Sequence, residues 1–234
     1  MVPWEFLDSV PVPGGQGELR LFKRGEEFSI RLDRSELMNS RLHGSEDALA
    51  ELACARIAGR RQPQVLIGGL GMGYTTAAAL HRLGDDGRLI VAELMPAVVK
   101  WNRGLLADLA GRPLEDDRVT VREVDVAQIL KTEHGAYDAI LLDVDNGPEA
   151  LTRKANDWLY SRPGLAAAST ALRPVGVLAV WSAGPDAAFT QRLRDAGFEV
   201  EEVRVRARDS RKGARHTIWL AAVPNNPDEL QGHR

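Results

Sequence analysis

The segment Val65-Leu66-Ile67-Gly68-Gly69-Leu70-Gly71-Met72-Gly73 constrains this chain more than any other. An apolar run that breaks into alternating glycines reads as a buried strand turning sharply into a helix. Such a turn presents bare backbone, because no Cβ holds a ligand away, and a nucleoside fits against it. About twenty residues on, a second apolar run, Arg88-Leu89-Ile90-Val91-Ala92, ends in Glu93. A carboxylate at a strand end beside a glycine turn is placed to accept hydrogen bonds from both hydroxyls of a ribose. The glycines alone fit a tight turn with no ligand; loop, strand and spaced acid together favour an adenosine-type ligand.

Glycine spacing narrows the ligand. Dinucleotide sites use Gly-x-Gly-x-x-Gly, with the third glycine letting the helix pack beneath a pyrophosphate. Here the glycines fall at Gly69, Gly71 and Gly73, Tyr74 stands where a third glycine belongs, and nothing basic in the turn meets a phosphate. The alternating pattern is similar to the first motif of S-adenosylmethionine-dependent transferases, whose ligand carries no phosphate.

From Gln64 onward strand and helix patterns alternate, as in a parallel sheet covered by helices on both faces. The spacing predicts strands near 64–68, 88–93, 118–124, 137–143 and 175–181, and helices near 73–83, 96–110, 126–132, 149–160 and 185–196. Residues 198–206 and 216–222 alternate as two strands joined by a polar loop, and with no helix between them they should pair antiparallel. The expected class is α/β: a Rossmann-like, methyltransferase-type sheet with an antiparallel last strand. Ahead of it, Glu18–Lys23 and Glu27–Leu32 alternate around Arg24-Gly25-Glu26 as a hairpin. Ser45-Glu46-Asp47 then offers a capping hydroxyl and two acids to a helix running to about Gly59. Residues 1–17, rich in Pro and Gly, read as a loosely ordered lead. Two parts follow: 1–44, a lead and small N-terminal β unit, and 45–234, the nucleoside-binding domain. At 234 residues the chain has room for one such core and a small appendage.

Ligands of such folds sit at the carboxyl ends of the strands, where Glu93, Asp125, Asp143 and Asp145 fall. Asp125 precedes a helix and reads equally as its N-cap or as an acceptor for an adenine amino group, and the two are compatible. Asp143 ends the most apolar strand, Tyr137-Asp138-Ala139-Ile140-Leu141-Leu142, and faces the expected cleft. There it could attract a cationic substrate, orient an amine or take its proton. The plainer alternative has Asp143 and Asp145 only stabilising the turn Asp145-Asn146-Gly147-Pro148. Function is favoured for Asp143, and Asp145 stays open as a substrate contact. Trp158 and Tyr160 fit a substrate-pocket wall or core packing equally, and Trp181-Ser182 offers a further contact under the same alternatives.

In order along the chain, Leu37-Met38-Asn39-Ser40-Arg41-Leu42-His43-Gly44-Ser45-Glu46, the glycine turn, Glu93, Asp125 and Tyr137 to Asp143 resemble the pattern of spermidine synthases. So does the small β unit ahead of the nucleotide domain. The resemblance spans roughly 18–222, with the specific part in the central cofactor half. It implies that Glu93 holds the ribose, Asp125 the adenine, and that Asp143 deprotonates the attacking amine. Three departures stand out. The turn lacks the aspartate that this family places there, and Asp143-Val144-Asp145-Asn146-Gly147-Pro148 replaces Asp-Ser-Ser-Asp-Pro. The Leu42-His43-Gly44 neighbourhood also replaces the tyrosine and glutamine of the polyamine pocket. Each lost partner of a diamine's charge corresponds to ~1–3 kcal/mol when partly buried.

The leading expectation is therefore a transferase binding S-adenosylmethionine or its decarboxylated form and moving an aminopropyl group to an amine or other small substrate. Methyl transfer on the same scaffold is the alternative, and a non-catalytic nucleoside-binding homologue the third. A net charge of −3 and a pI near 6.0 argue against a nucleic-acid partner. The basic run from Arg204 to Arg215 reads as a solvated hairpin tip. Cys54 is alone and reads as a small buried residue; His43 fits a base but reads better as a helix-entry residue making a local hydrogen bond, His81 reads as surface, and His134 and His216 have no ligand-spaced partners, so no metal is expected. Neither a leader nor a membrane-spanning run is evident, which points to a cytoplasmic protein without a membrane partner. A homodimer through the N-terminal strands is plausible.

Overall fold

The computed structural model describes residues 2–12, 17–144, 156–207 and 215–225. It begins with a four-stranded antiparallel meander in the order β1-β2-β3-β4: β1 Glu5–Pro11, β2 Glu18–Arg24, β3 Glu27–Leu32 and β4 Ser35–Asn39. The hairpin between β2 and β3 forms where alternation and Gly25 predict it, with Gly25 at φ 61° in the left-handed region. Within the lead, Glu5–Pro11 forms a strand that its composition does not suggest. Phe6 of β1 meets Phe22 edge-on at 5.8 Å, and Trp101 Nε1 donates to Asp8 Oδ2 at 2.8 Å. Both partners are distant in sequence, so local composition carries no sign of them.

α1 (Gly44–Arg56) leads into a seven-stranded sheet built from β5 Gln64–Gly68, β6 Arg88–Ala92, β7 Val119–Arg122, β8 Tyr137–Leu142, β9 Leu172–Ser182, β10 Glu199–Arg206 and β11 Arg215–Ala222. Its order is β10-β11-β9-β8-β5-β6-β7. The five strands from β9 to β7 run parallel, and β11 lies antiparallel between β9 and β10. This is the expected α/β class. Alternate side chains of the buried strands feed two cores: Val65, Ile67, Ala139 and Leu141 pack with α1 and the meander on one face. Leu66, Ile140 and Leu142 pack on the other, as strands covered on both sides require.

The covering helices are α2 Tyr74–Arg82, α3 Pro96–Asn102, α4 Val126–Thr132, α5 Arg162–Ala171 and α6 Ala187–Asp195. Counting α1, the helices differ from expectation at three places. α1 starts at Gly44 with His43 as its capping residue and no side-chain cap, so Ser45 lies inside the helix and fully buried. α3 stops at Asn102, before Gly104, and 107–110 forms a short 3₁₀ turn. The helix expected over 149–160 lies largely outside the described residues, and the helix observed next is α5. Pro163 and Gly164 disguise α5 as a loop. Proline is tolerated in a first helical turn, where its missing N–H has no helical partner. Gly164 is required because a Cβ there would sit 2.0 Å from the Trp158 carbonyl oxygen.

Candidate active site

Three strand ends converge on the glycine turn after β5. Asp143 N donates to Gly68 O and Gly69 N to Ala92 O, both at 2.9 Å. Gly69 has φ 92°, and a Cβ there would lie 2.3 Å from the Asp143 carbonyl oxygen, so the turn closes directly on the end of β8. Gly73, at φ 86°, caps α2 and leaves room for Asn102, whose Nδ2 donates to Gly71 O at 2.8 Å. Gly71 lies on the open side, where the nearest atom to an added Cβ is Met38 Sδ at 3.3 Å. Packing thus accounts for Gly69 and Gly73, and Gly71 is the turn glycine that lines a cleft.

Glu93 is buried at the end of β6. Its Oε2 accepts from Leu70 N at 2.9 Å and its Oε1 from Met95 N at 2.8 Å, so the carboxylate knits the turn to the start of α3. Asp125 caps α4, accepting from Ala127 N at 2.8 Å. The cap reading of Asp125 is therefore a fact of the structure.

Asp143 follows β8 and meets a cleft shared with Leu37, Met38 and Asn39 of the meander, Glu46 of α1, Leu70 to Met72 of the turn, and Trp181 of β9. Its Oδ2 accepts from Thr75 Oγ1, in the first turn of α2, at 2.6 Å. Among the described residues no basic side chain pairs with Asp143 or Glu46. Burial raises the Asp143 carboxyl well above the usual carboxylate range, and the Thr75 hydroxyl only partly offsets it. Burial also raises Glu46, with the Asp143 charge adding to the effect and the Ser45 hydroxyl opposing it. Beside the pair, burial and the charges of Asp47 and Glu46 push the Tyr74 phenol up to about 12. Tyr74 stacks on His43 at 4.2 Å between centroids, and His43 Nδ1 meets Asp47 Oδ2 at 2.7 Å, the local contact expected of a helix-entry histidine. The indole N–H of Trp181 is buried with no partner among the described residues.

Two proposed wall residues lie elsewhere. Tyr160 is buried and packs edge-on against Phe189 at 5.6 Å, in the core under α5 and α6. Trp158 packs against that same core, with Lys131 Nζ 4.3 Å above its ring. Neither lines the Asp143 cleft, because both belong with the core on the opposite face of the sheet. Asp145 lies outside the described residues. Glu46 and Thr75, which line the cleft, and Ser45 and His216, which adjoin Glu46 through hydrogen bonds, were not singled out for the site by sequence. The motif Leu37 to Glu46 contains two of them, but spacing cannot tell an inward-facing acid from one that merely sits at a helix's positive end.

No family model matches the sequence, and no curated protein matches it. Solved structures match it in shape. A spermidine synthase from Thermotoga maritima superposes with a TM-score of 0.75 at 17% identity, covering 96% of this chain and 75% of that one. A spermidine synthase in complex with the transition state analogue AdoDATO gives 0.74 at 16% identity, covering 96% and 74%. A probable spermidine synthase from Corynebacterium glutamicum gives 0.63 at 15% identity, covering 94% and 79%. The chain therefore has a spermidine synthase-like, methyltransferase-type fold. At these identities the likeness speaks of fold alone.

Proposed function

We propose that the chain is a transferase that binds decarboxylated S-adenosylmethionine or S-adenosylmethionine and passes an aminopropyl group to an amine. The observation that carries this reading is the Asp143 carboxylate, raised by burial, in one cleft with the open face of the glycine turn. An acid with a raised pKa, aimed at a site where a cation reacts, is suited to hold an ammonium and then take its proton.

The residues present fit the nucleoside. Glu93, held at the turn by Leu70 N and Met95 N, is an acceptor-only group at the strand end where a ribose would lie. Its carboxylate takes the ribose hydroxyls, and Asp125, while capping α4, receives the adenine amino group. Gly71 lets the ligand approach, and Leu70 and Met72 give the cleft apolar walls. When bound, the sulfonium supplies a good leaving group, so the protein's task is alignment and proton removal. Alignment of this kind is worth roughly 7–11 kcal/mol in favourable cases. Asp143, steadied by Thr75, takes a proton from the amine nitrogen so that its lone pair can attack. Residues 1–44 and 45–234 would then act as two parts, with Leu37 to Asn39 closing the cleft over the nucleoside domain.

One observation favours methyl transfer as a second reading. The turn offers Leu70 and Met72 where an acid would repel the carboxylate of intact S-adenosylmethionine. Calorimetry with the two nucleosides decides between them: aminopropyl transfer requires tighter binding of the decarboxylated form. A strong preference for intact S-adenosylmethionine rejects it.

A further inference from the structure

Resting on the reading of this cleft as an amine-transfer site, a further role can be derived for its second acid. Glu46 and Asp143 come from distant parts of the chain, α1 and the end of β8, yet line one cleft. Two carboxylates that line one cleft and feel each other's charge, with no cation paired to either among the described residues, are disfavoured when both are ionised. One proton held between them relieves the repulsion, as in other acid pairs whose protons leave in coupled steps.

Glu46 also has an outlet. Its Oε2 accepts from Ser45 Oγ at 2.6 Å, and Ser45 Oγ lies 2.8 Å from His216 Nδ1 on β11. A serine hydroxyl has one proton. With Glu46 ionised that proton points to Glu46, so His216 Nδ1 must carry a hydrogen and donate it to Ser45. With Glu46 protonated the chain reverses: Glu46 donates to Ser45 and Ser45 to a bare Nδ1. Ser45 is fully buried, whereas His216 is half-buried. Burial lowers the His216 pKa, so the ring rests neutral and can take a proton and release it. The groups around this chain are Asp47 on α1, Tyr74 on α2, His43 ahead of α1, Asp143 after β8, and the Trp181 ring, edge-on to His216 at 4.8 Å. On β10, Val205 is opposite His216, and Arg204 and Arg206 beside it are exposed.

We propose that Glu46 is a second catalytic carboxylate, which shares one proton with Asp143 and drains it through Ser45 to His216. A bound ammonium gives one N–H proton to the acid pair, and the freed lone pair attacks the carbon beside sulfur. The C–S bond breaks with its electrons left on sulfur, which departs as a neutral thioether. The surplus proton moves from Glu46 to Ser45 Oγ as the Ser45 hydroxyl proton moves to His216 Nδ1, and His216 releases one from Nε2. The turnover yields one alkylated ammonium, one thioether and one free proton. Glu46 touches the amine, and Ser45 and His216 act through it.

The test begins on the full chain with nothing bound, by carbon-13 carboxyl and nitrogen-15 imidazole NMR titration. In Asp143→Asn the Glu46 midpoint should fall by about one pH unit, and in Glu46→Gln the His216 midpoint should fall by about half of one. A Glu46 midpoint unmoved by Asp143→Asn overturns the shared proton, and a His216 midpoint unmoved by Glu46→Gln overturns the outlet. If Glu46→Gln fails to fold, Ser45→Ala, which breaks the same chain, should move His216 instead, and no movement there counts equally against the outlet. These readings need no turnover, so they stand apart from the transferase assignment, which fails if no amine is alkylated. With putrescine and decarboxylated S-adenosylmethionine, His216→Asn should lower kcat about tenfold near pH 7 with KM unchanged, and added imidazole should restore it. An unchanged kcat overturns the relay.

Discussion

Asp138, near the start of β8, and Asp143, just past its end, are five residues apart and meet opposite surroundings. At the amino end of β8, Asp138 is buried and accepts from Arg60 Nη1 at 2.5 Å, Arg173 Nη1 at 2.7 Å and Gln64 N at 2.7 Å. At the carboxyl end, Asp143 accepts from one hydroxyl and faces a second acid. The same side chain is neutralised and saturated at one end, and left short of partners at the other. A saturated buried carboxylate ties strands together, and a frustrated one is suited to move protons. Parallel sheets open their ligand cleft at the carboxyl edge, which is the end where the frustration lies.

Four experiments bear on this contrast. Asp143→Asn should reduce turnover by about 10³-fold, roughly 4 kcal/mol, without loss of thermal stability; a fall in Tm with activity retained would reverse its role. Asp138→Ala leaves Arg60 and Arg173 without their shared partner and should cost roughly 3 kcal/mol, read as a drop of about 10 °C in Tm. Activity per folded molecule should survive, and a selective loss of turnover would erase the distinction between the two ends.

The third experiment follows pH. Glu46 and Asp143 are raised in the folded state, so between about pH 4 and about 7, the value to which Glu46 is pushed, the unfolded chain ionises first. The folded state binds more protons in that window, so the pair's contribution to stability declines as pH rises and stays low above it. Glu46→Gln should flatten that decline and stabilise the protein at pH 8 by on the order of 1 kcal/mol, visible in Tm against pH. A parallel curve for the variant shows the pair is not frustrated. The smallest effect belongs to Asp125→Ala, which removes the α4 cap at about 1 kcal/mol and should also weaken nucleoside binding. Unchanged affinity reduces Asp125 to a cap.

Much of this architecture was legible along the chain. The central strands were placed within a few residues, since burial on both faces makes them continuous apolar runs between turn residues. The antiparallel pairing of β10 and β11 followed from the lack of a helix between them. What escaped depended on distant contacts. β1 is held by Phe22 and Trp101, and the room for α5 beside Trp158 is made by a glycine that reads as a breaker. In the site, the acids at the strand ends were visible, whereas Trp158 and Tyr160 could not be assigned to a cleft or a core, and packing put Tyr160 in the core and Trp158 against it.

By itself the sequence determined that strands and helices alternate, that a sharp turn of bare glycine backbone follows β5, and that acids close β6 and β8. These are local properties, set by side-chain period and by the absence of a Cβ. Only the tertiary structure decided that Glu46 shares a cleft with Asp143, that Ser45 joins Glu46 to His216, and that Asp138 is spoken for by two arginines. Protonation answers to burial and to charges across space, and those are settled by which distant segments pack together.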